Sequence, residues 1–446
     1  MSVDSKVDFG ELPVGWETAR IKWILKSLES GRREVDENNS FDEQVLSIGG
    51  EHLGWHGEWY LENSRYISFE QYDALNSGKI QPSDVLLVKD GATIGKVAIA
   101  DNMPEEKMAV NEHVFIMRFF ENDDPRYYFY FFQSFLAQDQ LQLEVRGSAQ
   151  PGLNSEFRQT LSVPHPPFEK QKSIVDYLDR ETTRIDALIS AKERLLELLE
   201  EKRRALITHA VTKGLDPNAP MRDSGVPWIG EIPKHWEVKK LKYVAALEIS
   251  NVDKHTVEGQ AEVKLCNYID VYRNEKISCK IDFMISTAAT DQIVRLSIKK
   301  DDVLLTKDSE TPDDIGVPAL VVEDFANVVC GYHLALARPM PNIMSGGFLH
   351  RVIQAEFTKG YYFSESVGMT RYGLDKLSIA NTMIPAPPIS EQEEILGYIN
   401  SQADKMDSLS IATQQTISLL KERRAALIAE AVTGKITDFP RTQRAS

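Results

Sequence analysis

The sequence is poor in several features that announce whole classes of protein. It has three cysteines in 446 residues, Cys266, Cys279 and Cys330. All fall in the second half without a CxxC spacing, which excludes a disulfide framework and a zinc knuckle. His52 and His56 stand four apart in HLGWH, the spacing of half a metal site on a helix. The glycine and tryptophan between them predict a loop instead, and no metal is expected. No run of about 18 apolar residues is present to cross a membrane, and MSVDSKVDFG lacks the basic-then-apolar pattern of a secretory signal. A cytoplasmic protein with no membrane partner is the expectation. Positive charge is also scarce: 51 Lys and Arg against 67 Asp and Glu leave a formal charge of −16. That excludes coating of a polyanion by bulk electrostatics, although a local basic surface remains open.

Catalytic signatures are missing as well. There is no HExxH, no GxSxG and no GxGxxG after a strand. GATIGKV (91–97) has three residues between its glycines and Val97 after the lysine, where a phosphate loop needs four and a hydroxyl; a tight turn between strands is predicted. HPPFE (165–169) resembles the NPPY-type motif that holds an extruded base in amino-methyltransferases. Its counterpart APPIS keeps neither the polar nor the aromatic part, so the prolines read as helix boundaries. No catalytic residue is expected in this chain.

What is present is repetition. GELPVGW (10–16) returns as GEIPKHW (230–236), 220 residues on, each followed by Glu and then by a Lys–aromatic pair, Lys22-Trp23 and Lys242-Tyr243. VPHPPFEKQKSIVDYL (163–178) faces IPAPPISEQEEILGYI (384–399), and LLEEKRRALITHAVT (198–212) faces LLKERRAALIAEAVT (419–433), both 221 apart. The regions between are more divergent, yet both keep DVLL(V/T)KD, at 84–90 and 302–308, and a glycine turn, GSAQPGL (147–153) and GMTRYGL (368–374). Hydrophobic residues at 42% and charged residues at 26% fit folded units. At about 150 residues per domain the length suits three of them, or two plus something elongated.

After each PxPP, where proline ends the preceding element, apolar residues follow one heptad register: Ile174, Leu178, Ile185, Leu188, Leu195, Leu199 and Leu206 in the first copy, Ile395, Ile399, Met406, Leu409, Leu420 and Leu427 in the second. Two long helices with coiled-coil seams are predicted. Glu181, Lys192 and Lys202 interrupt the first seam, and Gln402, Thr413, Thr416 and Arg423 the second. Tyr177, Ile189, Leu196 and Leu198 widen the first apolar stripe and leave surface for a partner. Each helix would extend on the order of 65 Å. KGLDPNAPMRDSGVPWIG (213–230) is too rich in Gly, Pro, Asn and Asp to continue the first helix and is a linker.

The divergent regions carry short β-rich runs, QVLSI, DVLLVKD, KVAIA and HVFIMRFF in the first and VKLCNYIDV (263–271), DVLLTKD, PALVVE and HLALARP in the second, with a helical stretch at 127–145. The fold class is therefore α+β: two mixed α/β globules in tandem repeat, separated by two long helices. Arg146, Gln150, Asn154, Arg371 and Tyr372 lie around the glycine turns, and Lys89 and Lys307 hold one place in both halves. Arg, Gln and Asn bond base edges bidentately and Lys meets phosphates, so these seven are the DNA-binding candidates. Caps and strand-end ion pairs are the alternative duty of each.

Taken together, GEIPKHWEVKKLK, KDGATIGKVAIA, GSAQPGLN, TKDSETPDDIG, TRYGL, PPISEQEEI and ERRAALIAEAVTGKI resemble the specificity (S) subunit of type I restriction-modification systems, over nearly the whole chain. The resemblance implies two target-recognition domains (1–165 and 230–386), each reading half of a bipartite, asymmetric double-stranded DNA target. It implies long spacer helices (166–212 and 387–434) packed as an antiparallel coiled coil about a pseudo-two-fold axis, a linker (213–229) and a tail (435–446). It also implies two methyltransferase (M) subunits carrying S-adenosylmethionine and ATP-driven restriction (R) subunits as partners, with no cofactor and no catalysis in this chain. A non-enzymatic protein–protein adaptor with duplicated coiled-coil arms is the alternative, favoured by the acidic charge.

Overall fold

The computed structural model describes residues 8–32, 44–62, 65–101, 103, 105–147 and 151–437. They form two compact units: one runs to Glu193 and resumes at Gln415, and the other is Arg194–Gln414. Two long helices, Phe168–Lys213 and Ile389–Val432, contribute to both.

In the first unit the strands Leu25–Ser30, Val114–Phe119, Val85–Val88 and Val97–Ile99 form an antiparallel sheet in that spatial order. A second sheet holds Gln44–Ile48 between antiparallel Arg65–Ser68 and parallel Met108–Val110. The second unit repeats the plan. Its larger sheet orders Ala245–Ile249, Leu334–Pro339, Val303–Thr306 and Pro318–Val321, and adds Lys276–Ile277 at the edge. Its smaller sheet holds Ala261–Cys266 between Met284–Ala288 and Val328–Cys330. The DVLL runs are unbroken apolar stretches because both faces of the larger sheet are buried. Val85 and Leu87 enter one core cluster while Leu86 and Val88 enter another, and Val303 and Leu305 are likewise separated from Leu304. Alternation along a strand sends neighbours to opposite faces.

Two expected elements differ from the sequence reading. The helical stretch at 127–145 is broken into Pro125–Gln133 and Phe135–Glu144, with Ser134 extended between them. Ala355 breaks Gly346–Gln354 from Glu356–Glu365 at the same place in the second unit. Because Ala355 has no side-chain hydroxyl, serine chemistry does not account for the shared break. VKLCNYIDV is a strand only to Cys266; Asn267 then caps a helix, Tyr268–Arg273, by accepting from the Ile269 N–H at 2.9 Å.

Each long helix starts at its PxPP and is fastened there by a buried glutamine. Gln171 donates to the Pro166 carbonyl at 3.0 Å and accepts from the Asp124 N–H at 2.8 Å. Gln392 does the same with Pro387 and Ser345, both at 2.9 Å. One amide thus satisfies a carbonyl and an N–H that burial would otherwise strand.

Within each unit, halves of the two helices pack antiparallel. In the first, Arg424 meets Asp186 at 2.9 Å and Lys421 meets Glu193 at 3.6 Å, so numbering rises on one helix as it falls on the other. In the second, Arg203 meets Asp407 at 2.5 Å, the same residue pair with the roles of the copies exchanged. Ile174, Leu178, Ile185, Leu199, Ile395, Ile399 and Met406 are buried, and Leu195, Leu206, Leu420 and Leu427 are half-buried. Leu188 and Leu409 are not seam residues: they are 44% and 46% exposed. Burial has moved one position on, to Ile189 beside Leu188, to Arg424 beside exposed Arg423 and to Ile428 beside Leu427. A helix of 3.6 residues per turn drifts about 20° per heptad from a strict 3.5 repeat, and without a sustained supercoil the buried line slips by a residue.

The second unit also buries His350 on Gly346–Gln354, where its Nε2 has no hydrogen-bond partner among the described residues. Burial, then the neighbouring Arg351 charge, pushes its pKa well below 6.5. Between its depressed folded value and 6.5 the unfolded chain binds the proton and the native one does not, so stability is full above 6.5 and falls as pH drops through that window. We expect the unfolding free energy of the second unit, read by urea denaturation, to fall on acidification by up to about 1.4 kcal/mol per pH unit, and His350→Leu to flatten that slope. An unchanged slope in the variant would place the acid sensitivity elsewhere.

Candidate nucleic-acid interface

The two lysines singled out from sequence, Lys89 and Lys307, each follow a buried strand, and the fold gives them the same backbone setting. Lys89 N–H donates to the His113 carbonyl at 2.9 Å and Lys307 N–H to that of His333 at 2.9 Å. Their carbonyls accept from Leu153 at 2.7 Å and Leu374 at 2.8 Å, the last residues of the two glycine turns. Asp90 bridges to Gly152 and Asp308 pairs with Gly373, so each turn is pinned against the end of its DVLL strand. A side chain at Gly152 would strike Asp90, its built Cβ lying 2.6 Å from a carboxylate oxygen, which explains that glycine.

Side chains converge on the aspartates. In the first unit, Asp90 Oδ2 lies 3.3 Å from His113 Nδ1 and 3.8 Å from Lys89 Nζ, which sits 5.0 Å over the Phe115 ring. In the second, Asp308 Oδ2 lies 2.5 Å from His333 Nδ1 and 2.6 Å from Lys307 Nζ, which sits 5.3 Å over Tyr332. Against burial, which raises it, the hydrogen bonds from Lys307 and His333 hold the Asp308 carboxyl below its usual range. His333 is held at φ 70°, a left-handed conformation uncommon outside glycine. The histidines and aspartates of this repeated cluster were not among the sequence candidates. The signal was there: His113 and His333 are 220 residues apart, the spacing of the opening phrases.

The remaining candidates divide. Arg371 joins the cluster, its Nη2 3.4 Å from His333 Nε2, and is exposed. Tyr372 pairs with Ser309 through backbone and is half-buried. Arg146 is exposed and donates to the Leu143 carbonyl at 3.2 Å. The Asn154 side-chain oxygen accepts from Glu156 N–H at 2.9 Å, a local turn bond. Gln150 lies outside the described residues. In the second unit Arg371, Asp308 and Ser309 line one groove with Tyr268, Tyr272 and Thr311; the two tyrosine rings stack at 5.6 Å.

Other sequence features have structural duties. GATIGKV joins Val85–Val88 to Val97–Ile99 as a turn. His52 accepts from the Gly49 N–H at 2.9 Å, and His56 lies 3.1 Å from Arg424, so the two imidazoles have separate partners. Among the described residues no His, Cys, Asp and Glu converge as a metal site, and no helix is long and apolar enough to cross a membrane.

Known proteins match this architecture and its sequence. Residues 13–198 match the Type I restriction modification DNA specificity domain. The chain is 21% identical to the type I restriction enzyme MjaVIII specificity subunit of Methanocaldococcus jannaschii over 439 residues, 95% of this chain and 94% of that one. It is 22% identical to the type I restriction enzyme EcoBI specificity subunit of Escherichia coli, over 80% of this chain and 74% of that one. Among solved structures, one described for complex assembly and conformational transition of the type I R-M system superposes with a TM-score of 0.72 at 17% identity, covering 96% of this chain and all of the other. The HsdS subunit from Thermoanaerobacter tengcongensis gives 0.56 at 17% identity, covering 96% and 99%. Duplicated framing sequence, duplicated sheets and relatives aligned nearly end to end agree: over nearly its whole length this chain is similar to the specificity subunits of type I restriction-modification systems.

Proposed function

We propose that the chain supplies DNA sequence specificity to a type I restriction-modification complex, each unit reading one half of a bipartite, asymmetric target. The observation that carries this reading is the repeated scaffold with divergent turns: the same Lys–Asp–His cluster pins a glycine turn in each unit, while GSAQPGL and GMTRYGL offer different side chains. Two readers of unlike chemistry select two unlike half-sites. Methyltransferase subunits dock on the long helices; Leu188 and Leu409, and Leu198 and Leu419, are exposed at equivalent places in the two copies and offer them apolar surface. S-adenosylmethionine belongs to those subunits and ATP to the restriction subunits that join them, with this chain non-catalytic and the complex cytoplasmic. The acidic charge fits a chain that makes local contacts within a cleft shared with its partners.

The test is binding of the complex with its methyltransferase subunits to duplex DNA across a salt series, with long-read mapping of methylated adenines in a host that carries it. Affinity that falls steeply with salt and methylation confined to one bipartite, asymmetric sequence are expected. Salt-independent association with proteins and no methylated motif would support the adaptor instead.

A further inference from the structure

We propose that Arg371 reads a guanine in the half-site of the second unit, and that His333 and Asp308 hold its guanidinium for that task; this rests on the DNA-specificity reading above. The geometry is a relay. Asp308, tied to Lys307, accepts from His333 Nδ1 at 2.5 Å, which leaves Nε2 as the acceptor facing Arg371 Nη2 at 3.4 Å. His333 is fixed by the backbone bond from Lys307 and by its ring contact with Tyr332 at 4.1 Å. One edge of the guanidinium is therefore oriented by the fold, and Arg371 remains exposed at the lip of the Tyr268–Tyr272 groove.

Charge decides between base and phosphate. The same groove carries Glu310 and Asp314 beside Arg371. A phosphate brought there would meet two carboxylates, whereas the O6 and N7 acceptors of guanine take two parallel N–H bonds from arginine without bringing an anion. The sequence position supports the same choice. Aligned on the 221-residue repeat, Arg371 stands where the first copy has Gln150. A phosphate contact common to both halves needs no change of residue, but a base reader does, since glutamine suits adenine and arginine suits guanine.

The experiment uses the full chain in complex with its methyltransferase subunits, with mapping of methylated adenines for wild type, R371A, R371K and His333→Ala. The wild type is expected to require a G·C pair at one position of one half-site. R371A is expected to relax that single position, reducing discrimination there by about tenfold to a hundredfold, with the other half-site and the spacer unchanged. R371K keeps the charge without the fork and is expected to relax the same position; retention of the full motif by R371K would mark a phosphate contact and overturn the proposal. His333→Ala is expected to weaken discrimination at that same base pair; a uniform loss at all positions would mean a structural role and overturn the relay. If R371A leaves a bipartite wild-type motif intact, only this inference fails. If the wild-type complex methylates no bipartite sequence, the underlying functional reading fails with it.

Discussion

A Trp236→Ala variant is expected to lose about 3–5 kcal/mol of stability, confined to the second unit. Trp236 is 1% exposed, belongs to that unit's main core, and donates from Nε1 to Glu391 Oε1 at 3.0 Å. It closes the C-terminal end of the first long helix, its ring only 3.2 Å from where a Cβ on Gly214 would lie, so that glycine cannot be replaced without displacing the indole. Truncation removes a large buried ring and strands part of a carboxylate's hydrogen bonding at once. Trp16, its repeat partner, is half-buried, and the place of Glu391 is taken by Lys170 in the first copy. Trp16→Ala should therefore cost clearly less. Hydrogen exchange read separately over Arg194–Gln414 and over the first unit would check both statements. Equal losses for the two variants, or unchanged protection in the second unit, would refute the asymmetry.

Removing Arg338 should be about as damaging, for an electrostatic reason. Its Nε and Nη2 donate to the two oxygens of Asp302 at 2.8 and 2.7 Å, and Nη2 also donates to the Ser297 carbonyl at 2.8 Å. The Asp302 side chain is only 1% exposed. Arg338→Met leaves a buried carboxylate without its cation, an arrangement that typically costs about 3–5 kcal/mol. Adding Asp302→Asn should return much of that loss, because the amide oxygen still accepts the Lys299 N–H that Asp302 now takes at 2.8 Å. Denaturant midpoints of the single and double variants measure the effect; a double variant no better than Arg338→Met would show that fork geometry, not the stranded charge, carries the energy. The first unit repeats the device with Arg118 and Asp84 at 2.7 and 2.9 Å. There Arg118 also binds Glu29, so Arg118→Met strands two carboxylates and should cost at least as much.

Much of this was legible in the residues alone. QVLSI, DVLLVKD and HVFIMRFF lie on strands because β-branched and aromatic runs bounded by turn residues leave few alternatives. The long helices start at PxPP because proline stops what precedes it and tolerates a helix's first turn. Arg371 was singled out from its turn, and the structure places it 3.4 Å from His333. Other features were not legible. The slip of the seam from Leu188 to Ile189 depends on how tightly the helices wind together, which a heptad count does not contain. The breaks at Ser134 and Ala355 have no common side-chain signal. His113 and His333 were visible as a repeat, but their meeting with Asp90 and Asp308 needs strand pairing to bring residues more than 20 positions apart to the ends of adjacent strands.

By itself the sequence determined that one scaffold occurs twice, where its two long helices start and stop, and where most of its strands lie. These follow from backbone chemistry and periodicity over short spans. Only the tertiary structure decided that the compact units are not the two halves of the chain. The opening phrase at Trp16 closes over Gly434, where a Cβ would come within 2.4 Å of Pro13 and 3.1 Å of Trp16. Trp236 does the same over Gly214. The last turn of a long helix must be covered by apolar surface whatever the chain distance to it, so the first unit's opening phrase covers a helix end from the far end of the sequence and the second unit's covers the end of the helix just before it.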